Sequence, residues 1–178
     1  MAGGMHFKVD ASTRLLADGE GRLKALEMRW NYDQAMTDLL LNEEDLSTPE
    51  KRDAVMAVLG DDIMADLFDL GYFTTLQANE VTQVFMTAQD YKAILNADNR
   101  IQLDFTLPLQ QPRDIKDTTL DLMLADPSAG IALPYSGPEA ITLDPALATR
   151  CGKPEIASSV ETLNEHEVEL QVVSLACK

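Results

Sequence analysis

Hydrophobic and polar positions change period twice along this chain. Residues 6–16 are mixed and strand-compatible, and Ala17-Asp18-Gly19-Glu20-Gly21 is a turn in which Gly and Asp supply positive φ. Leu26, Met28 and Trp30 then alternate with Glu27 and Arg29, the period-two mark of a half-buried strand. After Trp30 the period becomes helical. Ala35, Met36, Leu39 and Leu40 predict a short helix over 32–41. Ser47-Thr48-Pro49-Glu50 reads as a second helix start, with a hydroxyl cap, Pro in the first turn and an acid at the positive end of the dipole. Val55, Leu59, Ile63, Leu67 and Leu70 follow at helical spacing. Gly60 is expected to split this stretch into two helices, and Gly71 to stop it.

From Tyr72 onward the period returns to two. Ile101, Leu103, Phe105 and Leu107 form one apolar row, and Leu120, Leu122 and Leu124 another. Turns are marked by Ala97-Asp98-Asn99, Gln111-Pro112, Asp126-Pro127-Ser128 and Ser136-Gly137-Pro138. The last strand runs in phase through Val168, Leu170 and Val172, then shifts to Val173, Leu175 and Cys177, which predicts a β-bulge. Ala157-Ser158-Ser159 reads as a flexible connection. The fold class expected is α+β: a mainly antiparallel, sandwich-like β domain with a helical insertion, about residues 32–71, after the first hairpin. Helices do not alternate with the later strands, which disfavours a parallel α/β fold.

Composition narrows the picture. A chain of 178 residues suits one domain spanning 1–178, and 46% hydrophobic residues provide a sizeable core. Residues 1–5 read as an expression leader. Lys and Arg number 14 against 30 Asp and Glu, so the net charge is −16. That argues against nucleic acid and against anionic lipid, both of which need basic clusters. No apolar run approaches the ~20 residues that span a bilayer, so membrane insertion of the mature chain is not expected.

Candidate chemistry is sparse, and no enzyme activity is expected. The nucleophile elbow, the P-loop and the dinucleotide-binding glycine pattern are absent. Asp61-Asp62 reads as dipole complementation at a helix start, and Glu43-Glu44-Asp45 as a solvated loop without the ligand alternation of an EF-hand. Asp33 fits a helix cap. His6 and Asp10 are the most suggestive pair for a metal, although in a fully extended strand they lie about 13 Å apart. His166 stands at a strand start among acidic neighbours. Cys151 and Cys177 are the two cysteines; spacing alone leaves open a disulfide, of roughly 3–4 kcal/mol in the chain-entropy model, or two separate buried thiols.

An ordered set of motifs adds a family. Trp30-Asn31-Tyr32-Asp33 follows Leu26-Glu27-Met28-Arg29; then come Tyr72-Phe73-Thr74, Phe105-Thr106-Leu107-Pro108-Leu109, Asp126-Pro127-Ser128, and Leu143-Asp144-Pro145-Ala146-Leu147 before Cys151. In order and spacing, from His6 to Cys177, the chain resembles the bacterial family called domain of unknown function 1007. The resemblance implies an exported, periplasmic component of an uncharacterised transport system, partnered by an inner-membrane permease of the nickel/cobalt/zinc type. It implies a Cys151–Cys177 disulfide, because the periplasm is oxidising. It also implies a weak, exchangeable zinc or nickel site using His6 and Asp10. Family members begin with His-Pro-His, an aromatic and an Asp; here Gly4-Met5-His6 stands in that place, so one histidine of the pair is kept. Tyrosines common after the Asp-Pro turn are replaced by Ala129-Gly130. The other reading is an interaction domain that docks a permease and binds no metal.

Overall fold

Two antiparallel strands, β1 (Phe7–Ala17) and β2 (Leu23–Tyr32), begin the described part of the chain, which in this computed structural model is residues 7–178. Asp18 shapes their turn by accepting from the backbone N–H groups of Glu20 and Arg22, both at 2.9 Å, with Gly21 at φ 75°. Two helices follow, α1 (Gln34–Leu40) and α2 (Pro49–Asp69). The rest is mostly strand: β3 (Thr74–Ala78), β4 (Val81–Thr82), β5 (Gln89–Leu95), β6 (Ile101–Arg113), β7 (Thr118–Leu124), β8 (Ile131–Ala132) and β9 (Ile141–Leu143). A single helical turn, α3 (Pro145–Ala148), precedes β10 (Glu155–Leu163) and β11 (His166–Cys177).

These strands form two sheets. The first runs β5-β6-β2-β1, with β8 and β9 each pairing parallel to β1 near its two ends. The second runs β10-β11-β7-β3-β4. The expected α+β sandwich with a helical insertion is the architecture observed. Alternation explains the core. Met28 and Trp30 on β2 and Leu103 and Phe105 on β6 point inward with Val9, Ala11 and Leu15 of β1; Leu76, Leu120, Leu122, Val173 and Leu175 meet them from the second sheet. Trp30 stacks on Phe73 at 6.2 Å and meets Phe105 edge-on at 4.9 Å.

Five local expectations need correction. Gln111-Pro112 is not a turn: both residues lie inside β6, where its register with β2 shifts between Ala25 and Leu23 and a Pro is tolerated. Gly60 does not split the helix: α2 is continuous, and a Cβ at Gly60 would lie 3.3 Å from the Ala93 Cβ. The glycine is there because α2 comes close to β5. Asp61 is therefore mid-helix, and it accepts a hydrogen bond from the Tyr91 hydroxyl at 2.6 Å instead of complementing a helix start. The last strand carries no bulge, since β11 keeps an unbroken register with both β10 and β7. Its apolar phase changes because it covers two things in turn. Val168 and Leu170 close a small cluster with Ala129 and Met123, whereas Val173, Leu175 and Cys177 turn the opposite face into the main core. Finally, Ala157-Ser158-Ser159 lies inside β10, fully paired with β11.

Cys151 and Cys177 are joined in a disulfide. The backbone bonds Gly152 N–H to Ala176 and Lys178 N–H to Arg150, each to the carbonyl, flank it and hold the two residues opposite each other.

Candidate functional site

Two separate stretches meet the first residues of β1, and a third braces one of them. The first is the start of α1. Asp33 caps that helix by accepting from Met36 N–H at 2.8 Å, and its other oxygen accepts from Lys8 N–H at 2.7 Å. Asp33 N–H in turn donates to the Lys8 carbonyl at 2.9 Å. The helix cap and the strand thus share one carboxylate.

The second stretch is the turn after β7. Asp126 is only 6% exposed, yet its carboxylate is fully used. One oxygen accepts from Ser128 N–H and Ser128 Oγ at 2.9 and 2.7 Å, and the other from Gly130 and Ile131 N–H at 3.2 and 3.0 Å. The turn so formed presents the Gly130 carbonyl to Phe7 N–H at 3.2 Å and starts β8 alongside Phe7 and Lys8. The third stretch is the β10–β11 turn, where Asn164 Nδ2 donates to the Ser128 carbonyl at 3.1 Å. His166 follows that turn and is half-buried.

Of the residues expected to bind metal, Asp10 lies on β1 opposite Asn31, half exposed, with Lys8 Nζ 3.5 Å from its carboxylate. His6 lies outside the described residues. Asp33 and Asp126 are turned onto backbone donors and serve as positioning residues. Among the described residues, no group of three or more His, Cys, Asp or Glu is arranged to hold a metal ion. A hollow of about 260 Å³ beside Lys8 and Asp126 is lined also by Ile131, Leu163 and Glu169.

A second feature was not foreseen from the sequence. The outward face of the first sheet carries a depression of about 480 Å³ lined by Arg14, Glu27, Arg29, Asp90, Asp104 and Glu139 among others. Arg29 grips Asp104 on β6 with two bonds, 2.9 and 3.1 Å, and this pairing raises the guanidinium pKa further. Arg14 holds Asp144 at 2.8 Å. Burial pushes the Asp144 carboxyl up, but the Ala17 N–H and the Arg14 guanidinium outweigh it and leave the pKa below the usual range. Only the period-two placement of Arg14, Glu27 and Arg29 hinted at such a face; Asp144 and Glu139 come from more than a hundred residues away.

A disulfide-bonded, two-sheet α+β domain whose first strand is clamped at its start by a helix cap and a buried aspartate turn is the class these observations define. The family profile described as "Protein of unknown function (DUF1007)" matches residues 6–171, nearly the whole chain, and the protein belongs to that family. No curated protein matches the chain. No described helix is long and apolar enough to cross a membrane, and the disulfide fits an oxidising, extracytoplasmic compartment.

Proposed function

We propose that this protein is a periplasmic accessory or binding protein that handles transition-metal ions, zinc, nickel or cobalt, for a permease of the inner membrane. One observation carries the reading. Asp33 and the Asp126 turn both fix the backbone at Phe7 and Lys8, the residues next to His6 in the sequence, and Asn164 of the β10–β11 turn braces the Asp126 turn through Ser128. Such investment in the start of a strand suits a segment whose position matters. Imidazole and carboxylate together suit zinc, nickel and cobalt. His6 and Asp10 supply the ligands in this reading, and His166 stands beside the same turn. With both thiols in the disulfide, the donor set is thin, which suits capture and release rather than storage.

Calorimetric titration with zinc, nickel and cobalt tests this. The parent protein binds measurably, and His6→Ala weakens binding by roughly tenfold or more. No binding by the parent, or no change in His6→Ala, would leave the second reading in force. That reading is an interaction domain that docks the permease without binding metal, and the charged depression around Arg14 and Arg29 favours it.

A further inference from the structure

Three of the four sheet edges are guarded in ways proteins commonly use to prevent strand addition. α2 lies along β5, with Gly60 against Ala93. β8 and β9 occupy the free side of β1. β4 is two residues long. The fourth edge, β10, is bare. It is nine residues long, contains no Pro, Lys or Arg, and keeps a regular register with β11. All of its residues are exposed or partly exposed, and Val160 is 68% exposed.

The hairpin turn tells which backbone groups are free. Asn164 and Glu165 have φ 46° and 65°, the type I′ pattern, so Leu163 and His166 form a hydrogen-bonded pair. Bonding alternates along an antiparallel ladder. Leu163, Glu161, Ser159, Ala157 and Glu155 therefore point their N–H and C=O groups at β11. Thr162, Val160, Ser158 and Ile156 point theirs outward, and these find no backbone partner among the described residues beyond the sheet.

We propose that β10 is the seam of a homodimer, paired antiparallel with the β10 of a second copy about a two-fold axis at Ser159. Parity requires an axis centred on a residue, and hydrogen-bond count and charge place that axis at Ser159. It sets Ile156 against Thr162 and Ser158 against Val160 of the second copy, so every outward residue meets an outward residue, giving about eight hydrogen bonds. The same register keeps the charges apart. Glu161 faces Ala157, Glu155 faces Leu163, and no carboxylate stands opposite another. On the face of Ile156, Ser158, Val160 and Thr162, the paired strands bear no charge. Moving the axis one residue, to Ser158 or Val160, keeps that parity but leaves only about six hydrogen bonds, and at Ser158 it sets Glu155 against Glu161. Each copy carries a net charge of −16, so the overall field opposes association and salt relieves it.

Sedimentation over a dilution series tests the dimer, and a single cysteine tests the register. The native cysteines are paired, so Ser159→Cys adds the one free thiol. Oxidised with diamide, it gives a disulfide-linked dimer in high yield, because the axis brings the two copies of position 159 together. Ala157→Cys, which faces Glu161, does not. Val160→Pro removes an outward N–H while sparing the β11 ladder, so it keeps the circular dichroism spectrum and shifts the protein to monomer. Dimerisation strengthens as salt is added. A monomer throughout the series without Ser159→Cys crosslinking overturns the proposal. So does a dimer that persists in Val160→Pro and crosslinks no better at position 159 than at 157.

Discussion

Asp126 shows how much one buried side chain can organise. Four donors within five residues close on it, and through Gly130 they reach Phe7. Asp126→Ala strands backbone donors in a half-buried turn, each at a cost of about 1–3 kcal/mol where water cannot replace the acceptor. We expect a total loss of roughly 2–4 kcal/mol in urea unfolding. Asp33→Ala removes a cap and a strand contact together and should cost about 1–2 kcal/mol. A loss below the experimental error for Asp126→Ala would contradict the role given to it. The cap role of Asp33 was legible because Met36 is three residues away, within one helical turn. Its bond to Lys8 was not, since the partners are 25 residues apart and the contact exists only once the strand pairs. Likewise Asp126 read as a turn residue, but its hold on the N-terminal strand depends on tertiary closure.

At the scale of elements, periodicity predicted the hairpin, the helical insertion and the long β rows because inward and outward positions differ so clearly in those stretches. It misled where one element touches two surroundings. β11 switches its apolar face midway, and sequence alone cannot distinguish that from a bulge. Gly60 read as a break because the strand that needs its missing side chain, at Ala93, lies more than thirty residues later. A leucine there must displace β5, so Gly60→Leu should destabilise by about 1–3 kcal/mol, read from the unfolding midpoint. The disulfide ties α3's exit to the end of β11 across 26 positions. Replacing both cysteines by serine should cost roughly 3–4 kcal/mol. Thiol counting on protein produced in an oxidising compartment and denatured without reductant should find no free thiol, and two would contradict the bond.

The whole molecule is acidic, and some of its carboxylates are held below their ordinary range. Lys51 and Ser47 pull Asp45 down to about 2, the Arg22 backbone leads the lowering of Asp18, and Arg14 with the Ala17 N–H outweighs burial at Asp144. For a depressed group the unfolded chain binds more protons in the window between the two pKa values, so stability rises with pH there. These contributions are complete above about pH 4 and are lost as the pH falls through the lowered values. Asp144→Asn should flatten that acid limb in a pH series of urea unfolding, while a limb as steep as the parent's would argue against the Arg14–Asp144 clamp.

The proposed function requires a metal ion to bind at the start of β1, and paramagnetic broadening of backbone amide signals by nickel or cobalt tests this directly. Titrated into nitrogen-labelled protein, the ion should broaden Phe7, Lys8 and Asp10 first, followed by the Asp126 turn that holds them. Broadening centred on residues 43–45 or on α2, or none at saturating metal, would contradict the account.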